Sequence, residues 1–432
     1  MLFSSQVAEF QRWFRRDLFA FFKWILLSLL VGSVAGVVGA AFAHCLTWAT
    51  NFRQDHFFMI FLLPVAGLAI VGLYHLLDMD NDGGTEFILA SVRDARQLRF
   101  RMLPLIFLST VLTHLTGGSA GREGAALQIG GSIGRKLSSL LKLDDRDSRI
   151  LTMAGMAAGF SALFGTPIGA AIFAMEVESV GVMYYAAIIP CFLSAFLAKL
   201  VAGLLGVSTS TLAVQGIPTL TPLSLAQLLA LGALCALVAA LFCHAMQLGG
   251  TCYAKLTSNR WVRVLVGGVL VVLLTLLVGT TDYNGAGMDV ITRAVAGQAV
   301  PWAFLLKMLF TVLTLRAGYK GGEIVPAFFI GATFGCVVAP LLGLSASFGA
   351  AAGMVAVFCG VTNCPLTSIL LAYELFAGVG TASMTLTIAA AYMLSGYCGL
   401  YHEQLIMYSK TKSLFIRQNA GEEYQDDEHS AP

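Results

Sequence analysis

The sequence has little charge. Only 12% of its 432 residues are Asp, Glu, Lys or Arg, about half the share of an ordinary soluble domain. That excludes a globular chain with a fully solvated surface. The net charge is +2, and the basic residues cluster at the ends of apolar runs. No basic face remains to bind nucleic acid, and no such partner is expected. The nine cysteines are scattered through apolar segments with neither metal-ligand nor redox spacing. The closest pair, Cys359 and Cys364, reads as packing. No metal site and no cofactor is expected. No cleavable signal peptide is expected either: the first apolar run is long, lacks a small-residue cleavage site and follows "RWFRRD".

What is abundant is apolar material: 57% hydrophobic residues, 45 glycines and a mean hydropathy of +0.80. Runs such as "WILLSLLVGSVAGVVGAAFA", "MIFLLPVAGLAIVGLYHLL" and "VLVGGVLVVLLTLLVG" read as membrane-spanning helices. Others, such as "PIGAAIFAMEV", are too short to cross roughly 30 Å of hydrocarbon. The chain is therefore expected to be an all-α polytopic membrane protein with both full and broken helices. The basic flank of the first run predicts a cytoplasmic N-terminal segment over residues 1–17. The polar stretch from 411 to 432, "TKSLFIRQNAGEEYQDDEHSAP", predicts a disordered cytoplasmic tail. A multi-pass protein of the cell (inner) membrane with both termini cytoplasmic follows.

An internal repeat organises the rest. "AGMAAGFSALFGTPIGAAIFAMEV" (154–177) and "AGMVAVFCGVTNCPLTSILLAYEL" (352–375) share Ala, Gly, Met, Pro and Glu in one register at an offset of 198. Upstream, "AGREGAALQIGGSIG" meets "KGGEIVPAFFIGATFG" with a one-residue shift. Two repeats are expected, over 18–212 and 213–410. Their orientation follows from charge. The connection after the first glycine-rich segment carries Arg135, Lys136, Lys142, Arg146 and Arg149, while its counterpart "GCVVAPLLGLSASFG" carries no basic residue. "VRDARQLRFR" holds four arginines, and its counterpart near 290 keeps only Arg293. Basic loops mark the cytoplasmic side, so equivalent loops face opposite sides. This predicts inverted-topology repeats, a transporter architecture with its site near the midplane at broken helix ends.

Glycine-rich turns that open onto apolar helices expose backbone N–H groups and the positive end of the helix dipole. Directed inward, such ends bind an anion without a buried lysine. Three segments qualify: "DGGTEF" (82–87), "GREGAAL" (121–127) and "GGEIVPAFF" (321–329). The hydroxyls of Thr85 and of a tyrosine are further candidate donors. Glu123 lies in the second segment. Desolvation favours its protonated form and helix N-termini its charged form. A carboxylate balanced between the two occupies an anion site when charged and leaves it when protonated, exchanging protons for anions. The bland alternative is a glutamate capping its own helix. A mid-membrane carboxylate among glycines argues for function. Glu323 has the same setting, with a capping role equally open. Arg122 is expected to neutralise charge at the vestibule. Glu176 and Glu374, paired by the repeat, read as structural or vestibular. Phe328 and Phe329 read as core, and glycines 32, 36 and 39 as close helix packing.

These residues resemble the CLC family of chloride channels and proton-coupled anion antiporters. "GREGAALQIGG" is similar to the family's glycine–basic–glutamate–glycine element, whose glutamate is gate and proton carrier, and Glu123 takes that position. "GGEIVP" occupies the place of the second-half anion element. The resemblance implies an inverted-repeat protomer that forms a homodimer with one pathway per subunit. It places Gly84, Thr85, Gly121, Arg122, Gly124, Gly322, Ile324, Val325 and Tyr401 at the anion site, with Tyr408 as the second choice of tyrosine. Four positions depart from the usual chloride-antiporter pattern. Thr85 stands at the central serine position, Ala125 replaces a proline after the gate, and Val177 stands where an inner proton-transfer glutamate is common. Glu323 appears in the second-half element. This combination is similar to the fluoride-exporting branch, although Val325 stands where that branch often has threonine.

The expected function is exchange of a halide, fluoride or else chloride, for protons, with Glu123 and Glu323 as proton sites. A passive anion channel on the same scaffold is the alternative. A remote third reading, an intramembrane serine hydrolase, rests on "GGSAG" (117–121), which matches a G-x-S-x-G elbow. His114 lies only five residues from Ser119, and "HEQLI" lacks the second histidine a zinc site needs.

Overall fold

The computed structural model describes residues 2–80, 84–94, 99–208 and 211–421. The first half holds α1 (Leu2–Asp55), α2 (Leu63–Leu76), α3 (Thr85–Asp94), α4 (Met102–Leu115), α5 (Glu123–Leu140), α6 (Asp145–Phe164), α7 (Pro167–Glu176) and α8 (Ile188–Leu204). The second holds α9 (Pro222–Leu256), α10 (Arg260–Val278), α11 (Met288–Val295), α12 (Ala303–Leu315), α13 (Ile324–Val338), α14 (Ala346–Thr362), α15 (Pro365–Leu375) and α16 (Thr381–Leu394). Helix for helix, the second set repeats the first.

Among the described residues, six stretches are long and apolar enough to cross a bilayer, including Phe14–Asp55, Pro222–Leu256 and Arg260–Val278. The ten-residue α7 reaches only about 15 Å at 1.5 Å per residue and stops within the bilayer. Outward-facing leucines such as Leu204, Leu237 and Leu277 are largely exposed, as lipid contact requires.

Glycines allow the helices to touch backbone to backbone. A Cβ on Gly130 of α5 would collide with the carbonyl oxygen of Gly155 on α6, and one on Gly331 of α13 with that of Gly353 on α14. The same contact recurs in both halves, so it fixes the tilt of both α5 and α13. Gly32, Gly36 and Gly39 of α1 pack closely on Ser194 and Val201 of α8 and on Ala162 of α6, as their spacing predicts.

The halves meet through reciprocal helix caps. Glu176, ending α7, accepts the N–H groups of Leu366 (3.1 Å) and Thr367 (2.8 Å) and the Thr367 hydroxyl (2.6 Å) at the start of α15. Glu374, near the end of α15, accepts the N–H groups of Ile168 (3.0 Å) and Gly169 (2.7 Å) at the start of α7. Each helix presents its C-terminal carboxylate to the other's N-terminus, so the two run antiparallel, as an inverted repeat demands. Both glutamates are structural.

Helix α1 runs back to Leu2 without a break. One expectation needs correction. The tail is ordered to residue 421: β3 (Phe415–Asn419) pairs antiparallel with β2 (Leu405–Tyr408), which pairs parallel with β1 (Ser179–Val180). Ile406 and Ala420 bury against Val180, which is why "SLFIRQN" folds back despite its polar neighbours. Residues 422–432 of the expected tail lie outside the described residues, as do Asp82 and Gly83 of the first glycine turn.

Candidate anion site at the broken helix ends

The turn before α5 is braced from both sides. Asn284 Nδ2 donates to Gly117 O (2.7 Å), the Gly285 N–H to Gly118 O (3.0 Å), and the Ser119 N–H to the Thr314 hydroxyl (3.0 Å). Buried Lys307 fixes the bracing loop through Tyr283 O (3.1 Å) and Gly285 O (2.7 Å). The Ser119 hydroxyl pairs with that of Thr311 at 3.1 Å, while His114 Nδ1 turns to Thr110 O of its own helix at 2.9 Å. Serine and histidine thus each bond to a helix residue and not to one another.

Two residues ahead of their helices, Gly121 and Gly322 form an isolated antiparallel bridge. The Gly121 N–H donates to Gly322 O at 2.7 Å and the Gly322 N–H to Gly121 O at 2.8 Å. The bridge brings the N-termini of α5 and α13 together. Only glycine fits at 322, where a Cβ would lie 2.7 Å from the Gly124 nitrogen.

Glu123 crosses this junction. Its side chain is fully buried, and its Oε2 accepts the N–H of Arg122 at 3.0 Å and that of Val325 on α13 at 3.2 Å. Oε1 has no partner. The carboxylate therefore serves the facing repeat's helix as well as its own, and stands where positive helix ends would hold an anion. Neither Arg122 nor Glu323, the residues preceding α5 and α13, caps its helix with its side chain.

On one side of the junction lies a cavity of about 240 Å³ whose lining includes Gly84, Thr85, Gln128, Glu323 and Tyr401. Thr85 opens α3, and its oxygen lies 2.7 Å from where a Cβ on Gly124 would stand. The Tyr401 hydroxyl and Glu323 Oε2 are buried without a hydrogen-bond partner among the described residues. Arg316 and Lys320 add positive charge to the wall, and Glu86 negative charge.

The expected residues thus fall into connected groups. Gly121, Glu123, Gly124, Gly322, Ile324 and Val325 form the pinch between helices, and Gly84, Thr85, Glu323 and Tyr401 line the cavity. Arg122 packs instead over the Phe164 ring, 5.7 Å from its centroid. Tyr408, on β2, is half exposed and not a cavity residue.

Two features are invisible at the level of sequence motifs. Gln128 donates from Nε2 to Thr85 Oγ1 at 3.2 Å, and its one signal is an amide inside the small, apolar run "GAALQIGG". Gln404 is fully buried, donates to Val177 O (2.9 Å) and Thr362 O (2.7 Å), and accepts from Asn363 (3.0 Å). It pins the turn carrying Tyr401. Arg93 of α3 also ties this turn, bonding Glu403 O and its carboxylate, each at 2.9 Å.

Comparison with known proteins agrees with this geometry. Residues 78–396 match the family model described as voltage gated chloride channel. The chain is 36% identical over 415 residues to a chloride/fluoride channel protein of Pseudomonas syringae pv. tomato, covering 94% of this chain and 92% of that one. It is 28% identical over 382 residues to the H(+)/Cl(-) exchange transporter ClcA of Citrobacter koseri, covering 81% and 80%. The crystal structure of a CLC-type fluoride/proton antiporter superposes with a TM-score of 0.86 at 32% identity, over 89% of this chain and 98% of that one.

Proposed function

Because the chain belongs to the voltage gated chloride channel, or CLC, family, we propose that it exchanges a halide, fluoride in preference to chloride, for protons, with Glu123 as gate and proton carrier. One observation carries the assignment of Glu123. Its fully buried carboxylate bridges the facing N-termini of α5 and α13 and leaves one oxygen unpaired.

Charged, the carboxylate takes the position of an anion and closes the junction. Protonated, it is a weaker acceptor for the Arg122 and Val325 N–H groups, because charge-assisted hydrogen bonds are roughly twice as strong as neutral ones. The acid then leaves, and a dehydrated halide from the cavity replaces it on the same donors. Loss of the proton on the other side restores the charged carboxylate, which returns to the same donors and expels the halide. Glu323, lining the cavity without capping its helix, is the second proton site.

Fluoride is favoured by small, strong donors. The Thr85 and Tyr401 hydroxyls meet that need, since neither donates to another described residue. Similarity to a fluoride/proton antiporter and to a chloride/fluoride channel protein points the same way. The protein acts as a homodimer in the cell membrane with both termini cytoplasmic. The basic residues at the facing ends of α5 and α6, Arg135, Lys136, Arg146 and Arg149, with Lys142 between them, support that orientation by the positive-inside rule.

Purified protein in liposomes tests the proposal, with fluoride and chloride efflux followed by electrode and external pH recorded together. Fluoride efflux with proton uptake supports it, and chloride flux of equal size moves the protein to chloride exchange. Halide flux without proton movement makes it a passive channel.

A further inference from the structure

Gln128 is the polar side chain at the site that family resemblance and repeat left without a role. It lies one helical turn beyond Gly124 on α5, so both face α3, and the Thr85 hydroxyl docks on that face between them. The glutamine is 2% exposed. Its Nε2 donates to Thr85 Oγ1 at 3.2 Å, and its Oε1 has no partner among the described residues. Buried amides are normally paired at both ends, and a half-paired one is costly to keep.

We propose that Gln128 is a positioning residue of the anion site: its amide N–H holds the Thr85 oxygen as an acceptor, so the hydroxyl's own hydrogen is directed into the cavity at a halide. A hydroxyl has one hydrogen and two lone pairs. Occupying a lone pair from the Gln128 side turns that hydrogen away from α5, and no described group accepts it. The cavity faces the remaining direction, where the uncommitted Tyr401 hydroxyl also lies. Without the amide the hydroxyl rotates freely, and a halide must order it on binding.

The inference rests on the transport reading given above. The test uses the full-length protein in liposomes, with initial fluoride efflux measured against internal fluoride concentration. Gln128→Met keeps length and volume and removes the donor. The expected result is an apparent KM for fluoride raised about 3- to 10-fold, the worth of one net hydrogen bond. Maximal flux and the proton-to-fluoride ratio stay unchanged. In a Thr85→Val background, where no hydroxyl remains to orient, Gln128→Met adds less than about 2-fold. Gln128→Glu, also isosteric, accepts the Thr85 hydrogen and raises KM further; it stands in where the methionine variant does not fold.

An unchanged KM in Gln128→Met overturns the proposal, and so does an equal loss in the Thr85→Val background. Absence of any halide flux in the wild type sinks the transport reading itself, a separate outcome.

Discussion

Glu123→Gln is the sharpest perturbation, because it keeps shape while removing charge and the titrating proton. In the structure Oε2 accepts two backbone N–H groups, from Arg122 at 3.0 Å and Val325 at 3.2 Å. As bonds to a charged acceptor these contribute about 1.5–3 kcal/mol each, against about 0.5–1.5 for an amide oxygen. The closed position therefore weakens by about 2–3 kcal/mol over the two bonds, a shift of about 30- to 150-fold in its occupancy. An anion competing for the same donors gains by that factor. The assay is halide efflux with simultaneous recording of external pH. The expected result is proton movement abolished and halide flux persisting without coupling. Proton-coupled exchange surviving at the wild-type ratio would refute the assignment of Glu123 as carrier. A wild-type halide affinity in the variant would refute the claim that carboxylate and anion share one set of donors.

Three further predictions probe the surrounding structure. Tyr401→Phe removes a buried hydroxyl with no partner among the described residues, so fluoride affinity should fall about 3- to 10-fold with thermal stability unchanged; a loss of stability alone, read by thermal unfolding, would place the hydroxyl outside the anion site. Glu176→Ala strands the Leu366 and Thr367 N–H groups and the Thr367 hydroxyl, costing about 3 kcal/mol or more. A clear drop in the detergent-solubilised melting temperature is expected, and an unchanged one would show the cap to be dispensable. Gly155→Ala places a methyl against Gly130 O and must part α5 from α6. Both melting temperature and fluoride flux should fall, while Gly203→Ala, with open space around its added Cβ, should leave both near wild type.

What the sequence disclosed depended on how local the signal was. The repeat was legible because Pro167 and Pro365, and Glu176 and Glu374, recur at one offset. The special standing of Glu123 was legible because a carboxylate set among glycines and apolar residues in a membrane is costly to keep unless function requires it. Thr85 was legible from the glycine-rich turn that precedes it, whereas Tyr401 came from motif likeness, since nothing in its own neighbourhood marks a site. Gln128, Gln404 and Arg93 escaped because their partners are distant in the chain: Gln404 reaches Val177 across 227 positions, and Arg93 reaches Glu403 across 310. The strand over Phe415–Asn419 escaped for a different reason: its partner β2 is close in the chain, but the polar neighbours of the segment mask its pairing pattern.

The geometry also accounts for the different fates of two similar pairs of glutamates. Four helix N-termini face the seam between the repeats. Those of α7 and α15 are each neutralised by a carboxylate from the opposite half, through five hydrogen bonds in all. Those of α5 and α13 receive only one, because Glu123 reaches across to Val325 while Glu323 makes no hydrogen bond to α5 among the described residues. The reciprocity that would have closed this second pair is broken at Glu323, which turns to the cavity instead. Two positive ends thus share one negative group, which leaves them able to accept an anion whenever that group is protonated. One pair of symmetry-related helix ends is thus capped from both sides and the other from one, and the proposed exchange rests on that asymmetry.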